Sequence, residues 1–218
     1  VKITLLSIYP DIQSYGVRTI SAVLKKEGHS VDLIFLTKQF WERFEEKTLN
    51  DIVNLTKKSD LIGISLMTNF WDNAIQLTQK LKQHYDTPIM WGGTHPTIRP
   101  EECLEHADIV CVSESEQPLV ELTRKMTKGE NYFDIKGMGF KTNGKIINNG
   151  HGPLPGSKDS MFKHLNEIPD QDYNWNNHYI LKGEDVLKMD METLNDKNRT
   201  YMTMPTRGCP YACTFCVN

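Results

Sequence analysis

Between residues 2 and 112, five short apolar runs alternate with stretches of helical spacing, and this rhythm constrains the fold more than any other feature of the chain. The runs are Lys2–Ile8, Val31–Leu36, Leu61–Met67, Pro88–Trp91 and Ile109–Val112. Each has the length and continuous apolarity of a strand buried on both faces. After the first run, Val17, Ile20, Val23 and Leu24 keep helical spacing up to Lys26, and Gly28 supplies a stop. A second helix is predicted over about Trp41–Lys57 from Phe44, Leu49, Ile52, Val53 and Leu55. A third carries Ile75, Leu77 and Leu81 to about His84, with Asp72 as its cap. Pro100–His106 has proline at its first position and acids in its first turn. Ser115 and Pro118 open a fifth helix that Gly129 closes after Lys128.

Strands and helices in strict alternation demand a parallel sheet with right-handed crossovers. The expectation is an α/β, flavodoxin-like (Rossmann-like) domain of five strands in the order 2-1-3-4-5, with its ligand at the carboxyl ends of the strands. The rhythm then changes. Gly139–Ile147 pairs two short runs around Asn143-Gly144, a type I′ hairpin signal that predicts added antiparallel strands. Residues 150–198 show little periodicity and contain Pro153, Pro155 and Pro169, which reads as a linker or an extended wrap. Its aromatics Tyr173, Trp175 and Tyr179 suggest that part of it packs on something. Tyr201–Met204 reads as the first strand of a further domain. The expected division is therefore 1–135 for the sheet domain, 136–149 for the hairpin, 150–198 for the linker and 199–218 for the start of the next unit.

Charge narrows the partners. With 25 basic and 28 acidic residues the formal net charge is −3, which offers no basic field for nucleic acid. No apolar run approaches the roughly 18 residues of a membrane span. Three of the five cysteines, Cys209, Cys213 and Cys216, stand in a C-x3-C-x2-C spacing. Thiolates this close repel one another unless they share a metal. A zinc site would want a fourth Cys or His nearby; an iron–sulfur cluster held by three cysteines would keep one iron open. Such sites belong in a reducing cytoplasm. Cys103 and Cys111 read as ordinary buried thiols.

This spacing, with Phe215 before the last cysteine, resembles the signature of the radical S-adenosylmethionine (radical SAM) enzymes. The resemblance implies a 4Fe–4S cluster whose open iron binds S-adenosylmethionine, and an electron donor such as flavodoxin or ferredoxin. A complete (β/α)8 barrel takes roughly 250 residues, and two follow Cys216, so the sequence reads as the front part of a longer protein, not active by itself.

Three loops converge at the predicted ligand crevice. They are the first loop, with Tyr9, Asp11, Gln13 and Gly16; the end of the third run, with Ser65, Met67 and Asn69; and Gly92-Gly93 after the fourth. Paired glycines permit close approach of a ligand. Together these patches resemble the cobalamin-binding domain family, whose pattern is D-x-H-x-x-G, then S-x-L, then G-G. The chain departs from it at Gln13, where the family places a cobalt-ligating histidine, and at Met67 in place of leucine. The resemblance implies cobalamin bound base-off and His-off, its tail along Ser65, Gly92 and Gly93, its corrin facing the loop from Tyr9 to Gly16. Thr94 and His95 follow the glycines; His95 is expected at the crevice mouth, as a hydrogen-bonding partner or a cobalt ligand. Asn69, Ser113 and Glu114 lie on the same edge and either touch corrin amides or remain solvated. Over its whole length the chain resembles the cobalamin-dependent radical SAM proteins. The implied activity is a methyltransferase using methylcobalamin and a 5′-deoxyadenosyl radical on a small-molecule or otherwise unknown substrate. Ring closure or rearrangement with the same cofactors is the alternative within that class, and a non-catalytic cobalamin module with structural zinc lies outside it.

Overall fold

A computed structural model describes residues 1–197, 201–211 and 213–216. Five parallel strands form its centre: β1 (Lys2–Ser7), β2 (Ser30–Phe35), β3 (Leu61–Ser65), β4 (Ile89–Gly92) and β5 (Ile109–Cys111). They lie in the expected order 2-1-3-4-5 within a nine-stranded sheet. At one edge β6 (Met138–Thr142) and β7 (Lys145–Asn148) add antiparallel to β5. Their turn places Asn143 at φ 49° and Gly144 at φ 73°, the two left-handed residues that a type I′ turn requires.

Side-chain alternation along the strands fills both faces. Ile3 and Leu5 of β1 and Val31, Leu33 and Phe35 of β2 face α1 (Tyr15–Lys26) and α6 (Glu116–Lys128). Ile62, Ile64 and Trp91 pack the other way, against α2 (Glu46–Thr56), α3 (Trp71–Lys82) and the short α5 (Pro100–Cys103), which follows α4 (Thr94–Ile98). Each fully buried aliphatic side chain contributes about 1.5–3 kcal/mol of transfer free energy. Trp91 meets the polar demand of its indole by donating to Thr78 Oγ1 at 2.9 Å.

Four expectations need correction. The second helix begins at Glu46 rather than near Trp41. The side chain of Gln76 accepts from Phe44 N (3.0 Å) and donates to Phe44 O (2.9 Å), which uses up the backbone groups a helix would need there. Asp72 does not cap α3; Phe70 occupies that position after a 3-10 turn over Thr68–Phe70, and the Asp72 carboxylate pairs with Arg43 instead. Tyr201–Met204 forms no strand.

The fourth correction is the largest, because the predicted linker is part of the sheet. β8 (His178–Lys182) pairs parallel with β2, and β9 (Asp185–Lys188) turns back antiparallel upon it, before α7 (Met191–Lys197). Residues 150–177 cross the α1/α6 face as a strap. Phe162 of the strap packs on Val23 and Val120. Arg18, with no exposed surface, anchors the strap from α1. Its Nη1 donates to the Asp172 carbonyl (2.7 Å), its Nε to the Ile12 carbonyl (2.8 Å), and its guanidinium lies over the rings of Phe35 and Tyr173. The Asp172 carboxylate accepts from Ser21 Oγ and Lys25 Nζ, each at 2.6 Å, and lies 3.3 Å from His178 Nε2. Burial alone would raise its pKa, but contacts with His178, Lys25 and Ser21 outweigh burial and hold it well below the usual carboxylate range. Burial lowers the pKa of His178 despite Asp172, so its ring is neutral near pH 7.

Candidate functional site

On the α1/α6 face, at the carboxyl ends of β1, β3, β4 and β5, the sheet holds a cleft of about 150 Å³. Strand register explains its floor. Leu5, Gly63 and Met90 are paired neighbours across β1, β3 and β4, so they form one row on one face. Ser65 and Gly92 form the next row toward the mouth, where Cys111 also lines the cleft. Val17 and Ile20 of α1 form one wall and Leu119 of α6 the other. The interior is therefore apolar, with serine and glutamate only toward the rim.

The glycines of this site do different work. At Gly63 a Cβ would come within 2.8 Å of Leu5 Cδ2 and 3.2 Å of Met90 Cε, so the missing side chain lowers the floor. At Gly92 a Cβ would meet only Cys111 Cβ, at 3.7 Å, and at Gly16 nothing within 4 Å. No protein atom forbids a Cβ at those two positions; its absence leaves open a space that another group can fill. Gly93 has a backbone role. With φ 105°, and a Cβ that would lie 2.6 Å from the Leu66 carbonyl oxygen, it makes the sharp exit from β4 possible.

The rim is knitted by hydroxyls. Ser65 Oγ lies 3.1 Å from Tyr9 Oη, and the Tyr9 ring meets Phe70 edge-on. Ser7 and Ser14 hydroxyls bond each other across the first loop, where the Asp11 carboxylate accepts from Gln13 N at 2.8 Å. That carboxylate thus shapes a turn. Thr97 Oγ1 donates to the Gly93 carbonyl and accepts from Ser113 N, tying the loops after β4 and β5 together. Ser113 sits in the left-handed region at φ 71°. Burial pushes the Cys111 thiol up to about 12, so it lines the cleft as an inert neutral group.

Of the residues singled out from the sequence, Gly16, Ser65, Gly92, Gly93, Ser113 and Glu114 line this cleft. Tyr9 reaches it through Ser65. Met67, Asn69 and Thr94 are exposed on the same edge without lining it. His95 is a correction. It is 5 % exposed rather than at the crevice mouth. Its ring packs against Trp71 at 4.8 Å, on the α2/α3 side, and its Nδ1 lies 3.0 Å from Thr68 Oγ1. Burial lowers its pKa and keeps it neutral. Gly63, Met90, Cys111 and Leu119 were not foreseen as site residues; the period-2 alternation of the strands, carried through to which face each residue meets, would have found the first three.

Cys209, Cys213 and Cys216 are exposed. Cys216 N donates to the Cys213 carbonyl at 3.1 Å. Among the described residues no three Cys, His, Asp or Glu side chains come together as a metal site. The segment that carries the cysteines returns to the cleft. Arg207 Nη1 lies 2.6 Å from Glu114 Oε2, and its Nη2 lies 2.7 Å from Glu116 Oε1. Burial and the neighbouring Glu116 raise the pKa of Glu114, although Arg207 opposes the rise. Burial also works against the Arg207 charge, but Glu116 and Glu114 outweigh it and hold the guanidinium firmly protonated.

The chain is similar to several known proteins. An uncharacterized methyltransferase of Pyrococcus horikoshii is 29 % identical over 178 residues, 79 % of this chain and 35 % of the relative. The bacteriochlorophyllide d C-8(2)-methyltransferase of Chlorobaculum tepidum is 24 % identical over 172 residues, 79 % of this chain and 31 % of its own length. The chain thus spans about a third of the curated relatives it matches. Among solved structures, the radical S-adenosylmethionine methyltransferase TsrM of Kitasatospora setae, with cobalamin and a [4Fe-4S] cluster bound, superposes with a TM-score of 0.60 at 18 % identity. That match covers 73 % of this chain and 30 % of TsrM. OxsB, a cobalamin-dependent S-adenosylmethionine radical enzyme with aqua-cobalamin bound, gives 0.59 at 21 % identity over 72 % of this chain and 23 % of its own. Both share the fold. Residues 1–123 match the B12 binding domain model, more than half of the chain, and the protein belongs to the B12-binding domain family.

Proposed function

We propose that the α1/α6 cleft takes the nucleotide tail of cobalamin, and that the chain is the cofactor-holding front part of a cobalamin-dependent radical SAM methyltransferase. One observation carries the reading. At Gly16 and Gly92 the cleft is open where no protein atom would exclude a Cβ. An apolar slot of about 150 Å³ with a polar rim suits a flat aromatic base joined to a polar linker.

The chain's own residues divide the work. Leu5, Met90 and Leu119 exclude water from the base. Ser65, oriented by Tyr9, and Ser113 offer hydroxyls to the polar linker at the rim. The turn held by Asp11 presents the first loop to the corrin, and Gln13 stands where a cobalt-ligating imidazole would be; an amide is a poor substitute, which favours base-off, His-off binding. The donor set Cys209, Cys213 and Cys216 fits a cluster with one open iron. When bound, methylcobalamin would supply the methyl group, and the cluster with S-adenosylmethionine would supply the radical that removes a hydrogen atom from the substrate so that the substrate can accept that group. The names of the relatives favour methyl transfer over ring closure or rearrangement with the same cofactors. Flavodoxin or ferredoxin would be the electron source, and the substrate would be met mainly by parts of the protein beyond these residues.

Hydroxocobalamin titration tests this reading. The expected result is a bound-state spectral shift whose affinity falls tenfold or more, about 1.4 kcal/mol, in Gly92→Leu at unchanged thermal stability. No shift in the parent chain sinks it. Anaerobic reconstitution with iron and sulfide adds a second arm: a broad brown absorbance supports the cluster, whereas a colourless protein with stoichiometric zinc supports the structural-zinc alternative.

A further inference from the structure

We infer that Arg207 is a positioning residue that seats the cysteine segment on the mouth of the cleft by clamping Glu114 and Glu116 together. The inference rests on the cofactor reading above for its purpose, though not for its geometry. Glu114 and Glu116 line the cleft, two like charges either side of the start of α6. Left alone, they would repel each other and draw water into an otherwise apolar slot. One guanidinium answers both, each nitrogen taking a different carboxylate. Arginine's fork can do this; a lysine ammonium is a single point. The arrangement is not a loose surface pair, since the side chains of Arg207 and Glu116 are 10 % and 5 % exposed.

Sequence distance adds the purpose. Arg207 stands two residues before Cys209, so whatever fixes its guanidinium fixes the start of the cysteine loop. The rest of the segment is held lightly. Tyr201, Met202 and Met204 are exposed; the described ties are the Gln171 side chain on the Met202 carbonyl and the Tyr173–Tyr201 ring contact. A chemistry that needs a metal cluster facing a cofactor on the neighbouring sheet requires such a fixed approach, because small displacements of reacting groups are costly. The same clamp closes the polar side of the cleft. Glu114 and Glu116 therefore serve the slot and the segment together.

The test is a distance measurement on the chain itself. Cys213→Ser and Cys216→Ser leave Cys209 as the one exposed thiol, since Cys103 and Cys111 are fully buried. Spin labels at Cys209 and at Lys128→Cys, an exposed site at the far end of α6, report the seating. A narrow distance distribution is expected, with loss of the narrow component in Arg207→Ala and in Glu116→Gln, no further loss in the double variant, and partial retention in Arg207→Lys. Circular dichroism should show the body folded in every case. A second readout uses cob(II)alamin as the paramagnetic probe: bound cobalt should speed relaxation of the Cys209 label with Arg207 present and lose that effect in Arg207→Ala. An unchanged distribution in Arg207→Ala, or a broad one in the parent, overturns the clamp. Failure of the parent to bind cob(II)alamin would instead overturn the cofactor reading, with the label distances still standing.

Discussion

The strap of residues 150–177, with the strands that follow it, and the cysteine segment of residues 201–216 both lie beyond the five central βα units, yet they are held in opposite ways. The strap is woven in. Strand β8 adds to β2, Phe162 enters an apolar contact between helices, and a buried network gathers Arg18, Ser21, Lys25, Asp172 and His178. Among its described residues the cysteine segment forms no strand, exposes most of its large side chains and is pinned at Arg207. Distributed burial makes a region part of the cooperative unit; a single charged clamp makes one that can be placed and released. The contrast suits the proposed function, in which one element stays on the sheet and another would meet a second cofactor.

The largest expected effect that could break this contrast is Asp172→Ala. It leaves Lys25 and Ser21 without the carboxylate they donate to, and removing one member of a buried charged network costs about 3–5 kcal/mol. Urea unfolding measures it; a loss below about 1 kcal/mol would place the strap with the loosely held segment. Next comes pH. His178 has its folded pKa lowered by burial, so the unfolded chain takes up the proton first and stability drops as pH falls through the ordinary histidine range of about 6.5. Asp172 has its folded pKa lowered by its partners, so its contribution is present above about 3.8 and is lost below it. Both act in the same direction: the unfolding midpoint should decline on acidification, and His178→Phe should flatten the upper part of the decline. A midpoint that rises on acidification would contradict both assignments.

Arg207→Ala should change global stability by much less than Asp172→Ala, although Arg207 and Glu116 are themselves largely buried, because the segment can leave the sheet without unfolding it. Once the segment lifts away, Glu116 regains water and its charge is no longer stranded, so calorimetry should see little while the label distances change. A loss as large as that of Asp172→Ala would merge the two regions into one unit. The smallest effect tests a helix start. Asp72→Ala, removing an exposed partner of Arg43, should cost less than about 0.5 kcal/mol, whereas a true N-cap would cost about 1 kcal/mol.

Much of the fold was legible because it is local. Five apolar runs, the Asn143-Gly144 turn and the Gly129 stop each act over a few residues, and 2-1-3-4-5 is one of the two common strand orders for such an alternation. The missed hairpin had a signal too: Tyr179–Lys182 and Asp185–Lys188 flank Gly183, which sits at φ 64° in a left-handed turn. Its strand identity depends on β2, some 145 residues earlier, where Leu33 pairs with His178. Within the site, Gly92 and Ser65 were readable as ligand-loop residues, whereas Gly63, Met90 and Leu119 were hidden by looking like ordinary core.

The sequence by itself determined the alternating elements, the glycines at the strand ends and the cysteine spacing, since backbone preference and side-chain period are properties of neighbours along the chain. Tertiary structure alone decided that His95 turns away beneath Trp71, that Arg18 holds a strap 154 residues distant, and that Arg207 reaches two carboxylates at the cleft. Burial and charge pairing depend on what lies across space, and no spacing rule records which groups must share a space that water has left.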